Sequence, residues 1–161
     1  MKTSGSDKGT TALLSFAIIS TIVLVLCSYP LNKYNILSIN NSTIYYLGLI
    51  FVLLGMAIRI IAVLTLREHY TKTLQIIETH KIISNGIYSI IRHPGYLGVM
   101  TFLIGCGLLP GNLISITLII LIVPSFYSKR IKVEEQMLLD NFKEDYEKYM
   151  ERTYRLIPFI Y

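Results

Sequence analysis

The sequence predicts an all-α fold embedded in a membrane: a helical bundle with about four transmembrane helices, the last two a tight hairpin, and an amphipathic helix after them. Three observations carry this expectation. Apolar residues make up 53% of the 161-residue chain and charged ones only 16%, against roughly a quarter in soluble domains. The apolar residues gather into runs of membrane length. Charge is segregated, most of it in residues 67–93 and 129–155. A net charge of +5 arranged this way marks the flanks of spans and is no nucleic-acid footprint.

Residues 1–10 are polar and read as a disordered cytoplasmic lead. Residues 11–29 are apolar and close to the roughly 20 residues a spanning helix needs. Lys2 and Lys8 precede the run as in a signal peptide, but no small-x-small cleavage signal follows Cys27-Ser28-Tyr29-Pro30, so a retained helix is expected. Residues 30–43 form a polar turn rich in Asn and Ser. Residues 44–66 are the second span, interrupted by Arg59; an intramembrane charge marks function by default, and the sequence assigns this one no role.

The third apolar segment, residues 94–109, reaches spanning length only if its helix starts near Pro94, a residue suited to the first helical position. Pro110-Gly111-Asn112 is a turn signal, and residues 113–127 return as the fourth span. A loop this short forces an antiparallel hairpin. The tail, residues 129–152, places Ile131, Leu138, Phe142, Tyr146 and Tyr149 on one helical face, and Pro158 bars further helix. The whole chain, residues 1–161, reads as one domain.

Loop charge predicts the orientation. Arg67, Lys72, Lys81 and Arg92 flank the second and third spans, and Lys129, Arg130, Lys132 and further basic residues fill the tail. The opposite loops offer only Lys33. Both termini and the segments 67–96 and 128–161 are therefore expected on the cytoplasmic side.

The stretch Gly86-Ile87-Tyr88-Ser89-Ile90-Ile91-Arg92-His93-Pro94-Gly95-Tyr96-Leu97-Gly98 concentrates polar chemistry at the edge of an apolar run. Such groups are costly in hydrocarbon, which suggests a site; an interfacial belt of Tyr, Arg and His accounts for the same composition. The hairpin sets His93, Pro94 and Tyr96 level with Arg130 and Glu134. N–H groups exposed at the start of the third helix favour an anion there. Arg130 and Glu134, four apart, share a helix face, which a surface ion pair would also explain. No metal site is expected: His69, His80 and His93 lack ligand spacing and have no thiols or carboxylates clustered beside them. Gly86, Gly95 and Gly98 follow no strand, so they make no Rossmann fingerprint. Cys27 and Cys106 read as small buried hydrophobes.

The block His80-Lys81-Ile82-Ile83-Ser84-Asn85-Gly86-Ile87-Tyr88, continuing through Arg92-His93-Pro94-Gly95-Tyr96-Leu97-Gly98, resembles the isoprenylcysteine carboxyl methyltransferase family. The tail adds Arg130, Glu134-Glu135, Phe142, Tyr146, Tyr149 and Leu156-Ile157-Pro158, so the resemblance covers roughly residues 65–160. Ile82-Ile83 stand where the family usually has Leu-Val. The resemblance implies an integral-membrane enzyme that binds S-adenosyl-L-methionine without a Rossmann domain and releases S-adenosyl-L-homocysteine. It implies cofactor contacts from His80, Lys81, Ile82, Ile83, Tyr88, His93, Pro94, Gly95, Tyr96 and Glu134. It also implies that Arg130 holds the substrate by its carboxylate, with Arg130 and Glu134 as the catalytic pair. The expected member is of the prokaryotic type, multi-pass in the cell membrane, acting on a lipophilic, isoprenylcysteine-like or prenylated substrate.

Other readings stay open at this stage. A methyltransferase of the same fold would act on a phospholipid amine or a small thiol. A reductase related to the sterol reductases would bind NADPH instead. A non-enzymatic scaffold would use the basic face to bind lipid. The identity of the methyl acceptor and the oligomeric state are not legible from the residues.

Overall fold

A computed structural model describes residues 9–66 and 82–159. Within them the chain is helical: α1 is Thr10–Lys33, α2 is Ser42–Leu66, α3 is Pro94–Leu108, α4 is Leu113–Phe142 and α5 is Glu144–Glu151, with a single 3-10 turn at Gly86–Ser89 before α3. Helix α2 packs on α3, α3 on α4, and α4 on α1.

Three helices, α1, α2 and α4, are long and apolar enough to cross a membrane. The remaining segment of the about four expected is the shorter apolar helix α3. Its 15 residues rise about 22 Å at 1.5 Å each, short of the roughly 30 Å hydrocarbon core. The C-terminal segment covers the irregular chain ahead of α3 and satisfies its backbone. The Arg92 N–H donates to the Tyr154 carbonyl at 2.8 Å and the His93 N–H to that of Arg155 at 3.2 Å, while the Tyr154 N–H donates to the Ile90 carbonyl at 2.9 Å.

Two boundaries differ from the sequence expectation. Helix α1 runs past Pro30 to Lys33, because its last turn is tied down: the Pro30 carbonyl accepts from the Tyr34 N–H, and the Asn32 amide donates to the Pro110 carbonyl at 2.6 Å. The fourth span and the tail helix are one continuous helix, α4, since nothing between residues 127 and 129 breaks the backbone. The break comes at Lys143, whose φ is 44°. It separates Tyr146 and Tyr149 on α5 from the stripe of α4. That stripe is buried at every fourth residue: Ser115, Ile119, Val123, Tyr127, Ile131 and Glu135. Helix α4 rises about 45 Å over its 30 residues, of which a roughly 30 Å hydrocarbon core takes about 20, so its last turns, Glu135 among them, extend past that length.

The exterior of α1 and α2 is apolar, with Phe16, Ile19, Leu26, Leu53 and Leu64 more than half exposed, as suits helices that face lipid rather than water. Cys27 lies on this exterior and Cys106 is half-buried, both free thiols, so neither is the core hydrophobe expected. At the end away from the tail, fully buried Asn112 clasps the two loops. Its Oδ1 caps α4 by accepting from the Ile114 and Ser115 N–H groups, and its Nδ2 donates to Asn32 Oδ1 and the Ile36 carbonyl, both at 2.9 Å.

Helices α2 and α3 touch backbone to backbone. A Cβ placed on Gly55 would sit 2.4 Å from Phe102 N and 2.6 Å from the Gly98 carbonyl oxygen, and one on Gly105 would sit 2.6 Å from Val52 N. Small residues allow such an approach where lipid offers no hydrophobic drive between helices. Gly55→Ala should therefore push α2 off α3 and cost about 1–3 kcal/mol, the usual price of overpacking. A lowered thermal midpoint of the detergent-solubilised protein checks it; an unchanged midpoint contradicts the close packing.

Candidate active site

Pro94 starts α3 as expected, and the 94–108 helix runs antiparallel to α4 through the 109–112 turn. This brings the polar start of α3 against the α4 turns just past its apolar part. The Tyr96 hydroxyl lies between the two α4 residues singled out in the sequence. It donates to Glu134 Oε2 at 2.5 Å and accepts from Arg130 Nε at 3.1 Å. Arg130 is no surface partner: it is 1% exposed. Its Nη1 also donates to Thr11 Oγ1 at 3.2 Å, which brings the first turn of α1 to the same point. Tyr96 is stacked beside the His93 ring at a centroid separation of 5.7 Å and meets Tyr127 edge-on at 5.7 Å.

Glu135 anchors a second group. Its carboxylate accepts from Arg92 Nε at 2.9 Å, His93 Nε2 at 3.1 Å and Arg155 Nε at 2.7 Å. Because an ionised carboxylate only accepts, His93 carries its proton on Nε2. Arg92 reaches further, donating to the Met150 carbonyl at 3.0 Å and to the Thr153 carbonyl. Burial alone would raise the Glu135 carboxyl, but the hydrogen bonds from His93, Arg155 and Arg92 outweigh it and hold the pKa at about 2, below an ordinary 4.5. Tyr149 is pushed up to about 12 by burial, against the lowering effect of Arg92. Its hydroxyl donates to the Tyr88 carbonyl at 2.7 Å.

The sequence-predicted residues therefore fall into groups. Tyr96, Arg130 and Glu134 converge, with His93, Pro94 and Gly95 beside them in the buried first turn of α3. Tyr88 is tied to α5 through its carbonyl, and Ile82 and Ile83 are half-buried in the chain ahead of the 3-10 turn. His80 and Lys81 lie outside the described residues. Gly95 has a local reason to be glycine: a Cβ there would stand 2.7 Å from Arg59 Nη1. That proximity also brings the mid-span arginine of α2 to the site. Sequence reasoning missed the roles of Glu135, Arg92, Arg155 and Thr11. Glu135 had a signal, since an acid four residues after Ile131 continues the buried stripe of α4. Thr11 had none, because its partner lies 119 positions away.

Among the described residues no group of three or more His, Cys, Asp or Glu side chains is placed to hold a metal. What the cluster offers is a guanidinium and a carboxylate joined by one phenol, next to an aromatic pair and the N-terminus of a helix. The profile of the Isoprenylcysteine carboxyl methyltransferase (ICMT) family matches residues 47–140. The chain belongs to that family. A probable protein-S-isoprenylcysteine O-methyltransferase of Oryza sativa subsp. indica is 33% identical over 149 residues, covering 91% of this chain and 74% of the relative. The protein-S-isoprenylcysteine O-methyltransferase of Saccharomyces cerevisiae is 35% identical over 158 residues, covering 96% of this chain and 65% of the yeast protein. These relatives are eukaryotic, so the expectation of a prokaryotic-type ICMT is not borne out. A solved structure of the eukaryotic intramembrane Ras methyltransferase ICMT superimposes with a TM-score of 0.72 at 27% identity, covering 91% of this chain and 52% of the solved chain. This ICMT-family chain thus spans about half the length of that structure.

Proposed function

We propose that this chain transfers a methyl group from S-adenosyl-L-methionine to the carboxylate of an isoprenylcysteine-like lipophilic substrate, at the membrane surface on the cytoplasmic side. The observation that carries the reading is the buried Arg130 guanidinium, hydrogen-bonded to Tyr96, whose hydroxyl is also bonded to Glu134. Family membership supports the reaction class. The concentration of basic residues in 67–93 and the tail supports the orientation.

The donor chemistry of the cluster fits the cofactor. The Tyr96 and His93 rings offer faces that attract a cation, and Glu134 is a carboxylate suited to its cationic end. His93, Pro94, Gly95, Tyr96 and Glu134 would hold it, with Tyr88, Ile82, Ile83, His80 and Lys81 extending the wall. When bound, S-adenosyl-L-methionine supplies a methyl on a sulfonium, already a strong electrophile.

The acceptor carboxylate is ionised at neutral pH, with an α-carboxyl pKa near 3.5, so the chain needs no general base. Its residues position and exclude water instead. Arg130 presents N–H donors that match a carboxylate bidentately. Glu134, bonded to the same tyrosine, offsets the guanidinium so that the nucleophile is oriented without being fully neutralised. Water is kept away by the buried surroundings of Tyr127, Ile131 and Met100.

The test is a methyl-transfer assay with labelled cofactor on proteoliposomes, offering N-acetyl-farnesylcysteine, a short thiol and phosphatidylethanolamine in parallel. Base-labile label on farnesylcysteine is the expected result. Label on the thiol or the phospholipid alone would overturn the substrate, and no binding of S-adenosyl-L-methionine by calorimetry would overturn the reaction.

A further inference from the structure

The matched family profile begins at residue 47, yet a side chain from the first turn of α1 reaches the guanidinium at the centre of the cluster. Arg130 Nη1 donates to Thr11 Oγ1 at 3.2 Å, and Arg130 Nε donates to the Tyr96 hydroxyl at 3.1 Å. A guanidinium is planar, with its five N–H donors in a fixed fork. Two acceptors on different nitrogens, one from α1 and one from α3, therefore fix both the tilt and the rotation of that plane. Tyr96 is itself held by Glu134 at 2.5 Å. Thr11 comes from a helix whose packing on α4 is set elsewhere, by the buried Ala17, Thr21 and Ser28 and by Ser115 Oγ, which donates to the Leu24 carbonyl at 2.9 Å. The hydroxyl thus arrives on a rigid element. Bidentate recognition of a carboxylate depends on the orientation of the plane, and small misplacements of a reacting group carry large rate penalties.

We infer that Thr11 is a positioning residue for the reaction, acting through Arg130: its hydroxyl oxygen aims the guanidinium at the acceptor carboxylate and makes the first turn of α1 part of the site. This rests on the carboxyl methyl-transfer reading above. It assigns a role to a residue that the sequence places in an ordinary membrane span.

The experiment measures kcat, KM for N-acetyl-farnesylcysteine and Kd for S-adenosyl-L-methionine in Thr11→Val, Thr11→Ala and Thr11→Ser, each in wild-type and Arg130→Lys backgrounds, with thermal midpoints recorded alongside. Thr11→Val keeps the shape of threonine and removes the acceptor, and Thr11→Ala repeats the removal with less bulk. In the wild-type background either variant should lower kcat about tenfold, with Kd for the cofactor and the thermal midpoint close to wild type. Thr11→Ser should restore kcat. In the Arg130→Lys background, where the fork is gone, the same variants should change kcat less than twofold, since residues acting through one another are not additive. Wild-type kcat in both Thr11→Val and Thr11→Ala, or the same tenfold loss in the Arg130→Lys background, would overturn the inference and leave the function standing. A wild-type protein that methylates no carboxylate would overturn the function, and the inference with it.

Discussion

Glu135→Ala should cost the folded protein about 3–5 kcal/mol, the loss expected when one partner of a buried charge network is removed. The carboxylate is 4% exposed, and Arg92, His93 and Arg155 all donate to it. Alanine would leave Arg92, at 8% exposure, and the C-terminal segment without their shared anchor. The residues that pair beside 90–93 would then be held only by backbone hydrogen bonds and by the Arg92 bonds to Met150 and Thr153. The pH dependence follows from the same contacts. A carboxyl whose folded pKa is depressed contributes stability above its unfolded pKa and loses it as pH falls through the folded one. With 4.5 lowered to about 2, the contribution is roughly 3 kcal/mol at neutral pH, using 1.36 kcal/mol per pKa unit. It should fade between about pH 4.5 and pH 2. Thermal midpoints in detergent across that range check both statements: the wild-type midpoint should drop on acidification, and Glu135→Ala should start low and respond less. A wild-type midpoint flat from pH 5 to pH 2 would show that the network contributes nothing net.

Arg130→Ala should lower methyl transfer by a factor of at least about 100, comparable to losing a preorganised electrostatic group in other active sites, while S-adenosyl-L-methionine still binds within a few fold. The split is expected because Arg130 is proposed to hold the acceptor, whereas the cofactor is proposed to lie against the first turn of α3. Truncation also empties a fully buried position, so Arg130→Lys serves beside it. Lysine keeps the charge and much of the volume but presents a point charge in place of a fork, and should lose turnover with little change in thermal midpoint. Single-turnover kinetics and calorimetry on both variants decide the matter. Loss of cofactor binding in proportion to turnover would move Arg130 into the cofactor pocket and sink its proposed role.

Much of the site was legible because its residues are close in sequence or brought together by a short loop. The 109–112 turn is so tight that α3 and α4 must lie antiparallel, and that alone sets Tyr96 level with Arg130 and Glu134. What escaped was contributed by segments far along the chain. Arg155 meets Glu135 because the tail folds back beside residues 90–93, and no periodicity in a polar tail announces that. His93 pairs with Glu135, a choice between adjacent acids that depends on which way each faces from α4. Glu134 is half-buried beside Tyr96 and Glu135 points into the bundle, a difference of about 100° around a helix of 3.6 residues per turn.

The residues by themselves determined that this chain is a membrane-embedded helical protein with a polar cluster at one end, because the cost of placing charge in hydrocarbon writes itself directly into composition and run length. They also determined the starting point of α3, since proline permits a helix to begin where it would forbid one to continue. Only the tertiary structure decided that α4 carries span and tail as one helix. It alone brought Thr11 to Arg130 and Glu135 to His93. Those outcomes depend on the tail folding back beside residues 90–93 and on the hydrogen bond between Arg130 and Thr11, 119 positions apart, where local sequence exerts no force.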